Sequence, residues 1–281
     1  FEPRLSISYV FNDRNSIKAS YAHNVQYLHL LSNSTTGSPT DMWIPSSYNT
    51  IPETSDQYAF GYFRNFNDNN YEFSAEVYYK NLLNQVDYIK GAILNFNANV
   101  ESQLIYGKGR AYGIELFLKK KYGRFNGWIG YTLARTERQF DGINNGRWYP
   151  AKQDRMHDIS VVAVYELPRN WTISATWVYN TGNAVTYPKG AYMIDNRIVF
   201  LYTDRNGNRM PAYHRLDLGA SKQFAKKKHY ESNLTFSLYN AYSHDNAYTI
   251  TFKQNEKTKQ IEAVQTTLFK LVPSITYNFN F

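Results

Sequence analysis

His157, Asp158 and Ser160 carry the side-chain types of a hydrolytic triad within four consecutive positions. A triad needs base and nucleophile within hydrogen-bond reach of one another. The surrounding HDISVVAVYEL alternates as a strand does, so His157 points away from both Asp158 and Ser160. A polar strand end beside Asp154 and Arg155 accounts for the same residues, and we expect no enzyme. Metal chemistry fares no better. His23 and His29 share a face of a predicted strand over 16–30. Six residues at about 3.3 Å each separate them by roughly 20 Å, too far to share one ion. We therefore expect neither a metal nor a cofactor, and with no cysteine there is no disulfide framework or thiol chemistry.

Binding chemistry is better represented. Trp43, Tyr48, Trp148, Tyr149 and Tyr192 fall in long segments between strands, where a solute would arrive. Exposed rings stack on sugars or peptides, and functional side chains favour loops on a rigid scaffold. The same rings can also pack loops on one another, and both readings stand. Arg135 and Glu137 share one strand face and Thr136 and Arg138 the other, which a salt-bridged rim explains as well as a binding site does. Tyr27, Tyr58, Tyr62, Trp171 and Tyr277 sit near strand ends and read as aromatic girdles at a membrane interface.

The elements that position these residues are strands. In WTISATWVYN, Trp171, Ile173, Ala175, Trp177 and Tyr179 make one face, with Thr172, Ser174 and Thr176 on the other. LVPSITYNFNF and YEFSAEVYYK repeat the pattern. No run approaches the ~18 apolar residues of a membrane-crossing helix. A net charge of +8 raises the question of nucleic acid. Yet Lys119–Lys121 and Lys226–Lys228 fall at turns and form no stripe, so a nucleic-acid partner is not expected.

Connection lengths separate a soluble sheet from a membrane barrel. Short polar links at 12–15, 67–70, 122–125, 168–170 and 226–229 alternate strictly with long segments near 31–53, 90–107, 141–154, 183–212 and 243–267. Bacterial barrels do this, with short turns toward the periplasm and long loops outside. In the long segments, RIVFLY followed by Asp204–Gly207, and Tyr248–Phe252 with Ile261–Thr267, predict projecting β-hairpins. The predicted strands are 3–11, 16–30, 54–66, 71–89, 108–121, 126–140, 155–167, 171–182, 213–224, 230–242 and 268–281, eleven in all. The first and last both run toward the short turns, so they cannot pair antiparallel and close a barrel. We therefore expect residues 1–281 to be the C-terminal part of one all-β, antiparallel transmembrane barrel, with plug and N-terminal strands upstream.

LVPSITYNFNF, with Ile275, Tyr277, Phe279 and Phe281 in alternation, resembles the signal by which the barrel-assembly machinery recognises outer-membrane proteins. FEPRLSISYVFNDRNSIKASY, SDQYAFGYFRNFNDNNYEFSAEVYYKNLLNQVDY, GKGRAYGIELFLKKKYGRFNGWIGYTLART, YPAKQDRMHDISVVAVYELPRNWTISATWVYNTGNAVTYP and RMPAYHRLDLGASKQF are together similar to the barrel of TonB-dependent receptors of the Bacteroidota type. The resemblance implies a 22-stranded barrel in the outer membrane with an N-terminal plug and a TonB-box peptide. It implies active import of a scarce solute and, in some members, a surface lipoprotein that caps the barrel. A barrel recruited as a non-transporting scaffold of an envelope complex is the alternative.

Overall fold

The computed structural model describes residues 1–31, 42–89, 92, 99–195, 197–202, 204–224, 231–258 and 260–280. Their main sheet is antiparallel and follows chain order: β1 (Arg4–Asn12), β2 (Asn15–Gln26), β3 (Glu53–Phe66), β4 (Tyr71–Tyr88), β5 (Leu104–Lys120), β6 (Phe125–Gln139), β7 (His157–Leu167), β8 (Trp171–Asn180), β9 (Tyr213–Gln223), β10 (Glu231–Tyr239) and β11 (Val272–Asn280). All eleven predicted strands are present. β2 is shorter than predicted and stops at Gln26, opposite the first residue of β3, Glu53. Beyond it Leu28–Leu31 pairs outside the main sheet, with Met42–Pro45. His29 thus leaves the strand that carries His23.

The register carries each face continuously across the sheet. Tyr21 of β2 lies opposite Tyr58 of β3, Tyr58 opposite Tyr79 of β4, and Tyr79 opposite Tyr112 of β5. Phe60, Val77, Ile114 and Leu133 form the neighbouring apolar row. At the other end of the sheet Ile173, Ala220, Phe236 and Ile275 align, and Ile173, Phe236 and Ile275 are exposed. The opposite face is polar: Thr172, Ser221, Thr235 and Thr276 form a row of hydroxyls, with Ser221 Oγ and Thr235 Oγ1 3.0 Å apart. Strict alternation on a common register produces this two-faced sheet. It matches a wall with hydrocarbon on one side and a wet lumen on the other.

Turns of two to four residues close one end. Asn67, Asp68 and Asn69 hold φ of 52°, 52° and 62°, and Asn170 holds 62°, the left-handed region that Asn and Asp tolerate best. The predicted turn at 226–229, like Phe281, lies outside the described residues. The long segments all emerge at the other end. Thr249–Gln254 pairs with Ile261–Thr266 as predicted. RIVFLY, however, pairs backwards: Arg197–Leu201 bonds to Gly190–Ile194, and the Asp204–Gly207 turn leads into Asn208–Arg209, which bonds to Ala184–Val185.

A sheet with lipid on one face and a polar lumen on the other has no apolar interior. The buried apolar residues gather instead among the long segments. One cluster is Leu31, Val86 and Leu104, and the other is Phe140, Ile143 and Tyr149. Gly107 makes the second possible: a Cβ there would meet Gln139 O at 2.3 Å and the Phe140 ring at 2.6 Å. β1 and β11 are the two free ends of the described sheet, and both are exposed throughout.

Candidate functional site

At the long-loop end a cleft of about 830 Å³ opens on the polar face. Strand ends supply Gln26, Glu53, Leu82, Gln85, Asp87 and Arg138, and the loops add Trp43, Tyr149, Lys152, Arg155 and Arg205. Asp87 reaches it through an irregularity. Uninterrupted alternation would put Asp87 on the face of Tyr79 and Asn81, away from the cleft. Leu82 pairs with Gly109 but Gln85 pairs with Gly107, so β4 carries one extra residue here. This bulge inverts the alternation and turns Gln85 and Asp87 inward. Asn84 (φ 55°) takes up the strain, and its Nδ2 donates to Pro52 O at 3.2 Å.

Two ion pairs lock the loops over this wall. Arg205 Nη1 donates to Asp87 Oδ1 at 2.5 Å, and its Nη2 donates to Tyr88 O at 3.3 Å. Tyr149 OH donates to Asp87 Oδ2 at 3.3 Å. Asn144 Nδ2 donates to Arg205 O at 2.9 Å, and Arg205 N donates to Asn144 Oδ1 at 2.7 Å. The second pair is Arg209 with Asp154, whose Oδ1 also accepts Thr136 N at 2.6 Å. Burial, and then the Asp87 charge, push the Tyr149 phenol well above its ordinary range. Burial works against the Arg205 guanidinium, but Asp87 outweighs it and raises the pKa. Glu53 is similarly engaged, accepting from Gln85 Nε2 at 2.9 Å and lying 3.3 Å from His29 Nδ1. Arg138 and Arg155 line the cleft without an ion pair among the described residues. The wall is preformed, and its uncommitted charge is positive.

The family model of the TonB-dependent receptor-like β-barrel matches residues 1–241. The chain belongs to this family. It is therefore part of an outer-membrane β-barrel. No curated protein matches it in sequence. Solved structures match in fold. The ferric yersiniabactin uptake receptor of Yersinia pestis is 15% identical with a TM-score of 0.61, covering 99% of this chain and 37% of that one. The ferripyoverdine receptor of Pseudomonas aeruginosa is 13% identical with a TM-score of 0.60, covering 99% and 32%. For the ferric-catecholate import receptor of Escherichia coli K12 the values are 13%, 0.55, 98% and 34%. The chain thus spans about a third of the length of these receptors.

The five loop aromatics of the receptor barrel separate. Trp43 lines the cleft and is 57% exposed. Tyr149 lines it too but is 3% exposed, its hydroxyl committed to Asp87. Trp148, the residue before it, turns to the lipid side and stacks on Arg110, 4.3 Å from the ring centroid. Tyr48 is 99% exposed on a loop held by Glu101, which accepts from Ser47 Oγ at 2.5 Å and Asn49 Nδ2 at 2.8 Å. Tyr192 is half-exposed on the hairpin beginning at Gly190. Neither Tyr48 nor Tyr192 lines the cleft. His157 bonds Tyr131 OH through Nδ1 at 2.9 Å on the apolar face, away from Asp158. Among the described residues no three His, Asp or Glu side chains gather as a metal site. The cleft cations Arg155 and Arg205 were missed as site residues because loop path, not alternation, delivers them. Arg138 was legible from its strand face alone.

Proposed function

We propose that this chain is the C-terminal half of the barrel of a TonB-dependent importer that captures an anionic solute, a ferric chelate foremost, at its outer mouth. The observation that carries the reading is the preformed cleft with Arg138 and Arg155 uncommitted on its wall. An aromatic ring, Trp43, stands beside them for stacking. The solved receptors of like fold are named for ferric chelates, which supports that class of solute.

A different feature supports a plug in the lumen. Glu76 and Glu115 lie directly opposite one another on the polar face, and neither forms an ion pair among the described residues. Like charges so placed repel, and a cationic side chain of a plug would relieve them. Gly61 makes room, since a Cβ there would come within 2.9 Å of Glu76 Cγ. β1 and β11 run in the same direction, so closing the barrel takes an odd number of further strands, and the family's 22 would be met by eleven. TonB would then act through the upstream part, and a surface lipoprotein is a further candidate partner. Ile275, Tyr277 and Phe279 project together from β11 and would present the assembly signal to the barrel-assembly machinery.

The test uses the complete receptor in a strain lacking its own copy, with uptake of radiolabelled ferric chelates as readout. Saturable uptake that needs TonB and falls on Arg138→Glu with Arg155→Glu is expected. A full-length protein that moves no solute, and whose deletion instead disperses an envelope complex, would establish the scaffold reading.

A further inference from the structure

The row Tyr21–Tyr58–Tyr79–Tyr112 marks the level at which the lipid-facing wall meets the outer headgroups. Arg135 of β6 continues that row, directly opposite Tyr112. Arg110, two residues further out on β5, lies about 7 Å above it, and Lys108 follows at the next outward position. All three share the apolar, lipid-facing side, whereas the neighbouring strands carry His23, Asp56 and Asn81 at the level of Arg110. Glu137 is the one acid opposite them, 2.8 Å from Arg110. Arg135 has no ion pair among the described residues, and Lys108 is exposed. Trp148 covers the upper edge, its ring 4.3 Å from Arg110 and 5.9 Å from Lys108. A rigid aromatic beside cations, at headgroup height and on the outside of the wall, cannot serve a solute in the lumen.

We propose that Lys108, Arg110 and Arg135, capped by Trp148, bind the phosphate headgroup of an anionic lipid of the outer leaflet. Acyl chains would lie on Ile114, Leu116 and Leu133 below, and the phosphate would bridge Arg135 and Arg110. The patch serves a lipid because it sits directly above that apolar face. It depends on the orientation of the wall, not on what the lumen transports.

The experiment titrates the complete purified receptor with diphosphoryl lipid A in phosphatidylcholine micelles and reads bound lipid by native mass spectrometry. Each lost cation should weaken binding roughly five-fold, since a basic residue at a lipid surface contributes about 1 kcal/mol. Lys108→Gln with Arg110→Gln and Arg135→Gln should then reduce it on the order of a hundredfold. Glu137→Gln should tighten it, and lipid A stripped of phosphate should bind no better than phosphatidylcholine. Lys108→Arg with Arg135→Lys keeps the charges and should keep the lipid, which separates the effect from misfolding. Arg138→Gln with Arg155→Gln should lower solute uptake and leave lipid A binding unchanged. Equal binding by the triple variant, equal binding of dephosphorylated lipid, or displacement by millimolar inorganic phosphate would overturn the proposal.

Discussion

Arg205 and Asp87 stand 118 positions apart in the chain, and their side chains meet at 2.5 Å over the mouth of the barrel. One comes from an outer loop and the other from the end of β4, so the pair fastens loop to wall. Their side chains are 15% and 11% exposed, which makes the pair costly to break from one side only.

Arg205→Ala should leave the Asp87 carboxylate buried and uncompensated, at a local cost of about 3 kcal/mol or more. The expected outcome is faster protease cleavage within 140–156 and 181–212, with the heat-resistant mobility of the barrel unchanged. Arg205→Lys should fall between, since a lysine cannot reproduce the two-pronged contact. Equal cleavage rates for all three proteins would show that the pair does not hold the loops.

The Tyr149 phenol gives this latch a pH limit. Its folded pKa lies above the unfolded value of 10.0, so its contribution is complete below pH 10 and is lost as the pH climbs beyond. Loop protection should therefore decay in strongly alkaline buffer, and Tyr149→Phe should abolish that decay. A difference spectrum between the two proteins should show one phenol ionising later than the exposed ones.

The two faces of β8, β10 and β11 should respond oppositely to charge. Arginine at Ile173, Phe236 or Ile275 should cost about 2–4 kcal/mol near the bilayer midplane. At Thr172, Ser174 or Thr176 it should be tolerated, because those positions meet the lumen. Folded fraction on urea titration in lipid vesicles is the measurement, and equal losses on both faces would defeat the assignment.

Protease added to intact cells should reach the long segments and spare Asn67–Asn70. Within 183–212 the cuts should fall in Gly190–Ile194, which is exposed throughout. Asn206 should be spared, because it is 5% exposed and donates through Nδ2 to Pro150 O at 2.9 Å. Cuts confined to the short turns would invert the topology.

The wall was legible in the sequence because alternation is a local property. WTISATWVYN and LVPSITYNFNF name their two faces without help from any distant residue. The mouth was far less so. Its packing depends on contacts such as Asn144 with Arg205 and Tyr149 with Asp87, which no spacing rule announces. The pairing of RIVFLY was misjudged for a related reason. The Asn-Gly pair that follows it does form a turn, with Asn206 at φ 53°, but that turn leads into a different ladder. Of the loop aromatics, Trp148 and Tyr149 look equivalent as neighbours, yet the pairing of Tyr149 with Arg138 sends them to opposite sides of the wall.

The bulge between Leu82 and Gln85 makes β4 a strand with two reading phases. Below it, odd-numbered residues such as Val77 and Tyr79 meet lipid; above it, odd-numbered residues such as Gln85 and Asp87 meet the cleft. Deleting Asn84 would remove the extra residue and leave Leu82, Gln85 and Asp87 in plain alternation, still on the cleft side. Val86 and Tyr88 would keep the opposite side. The extra residue thus lets the strand shorten by one at this point without changing which side chains the solute meets.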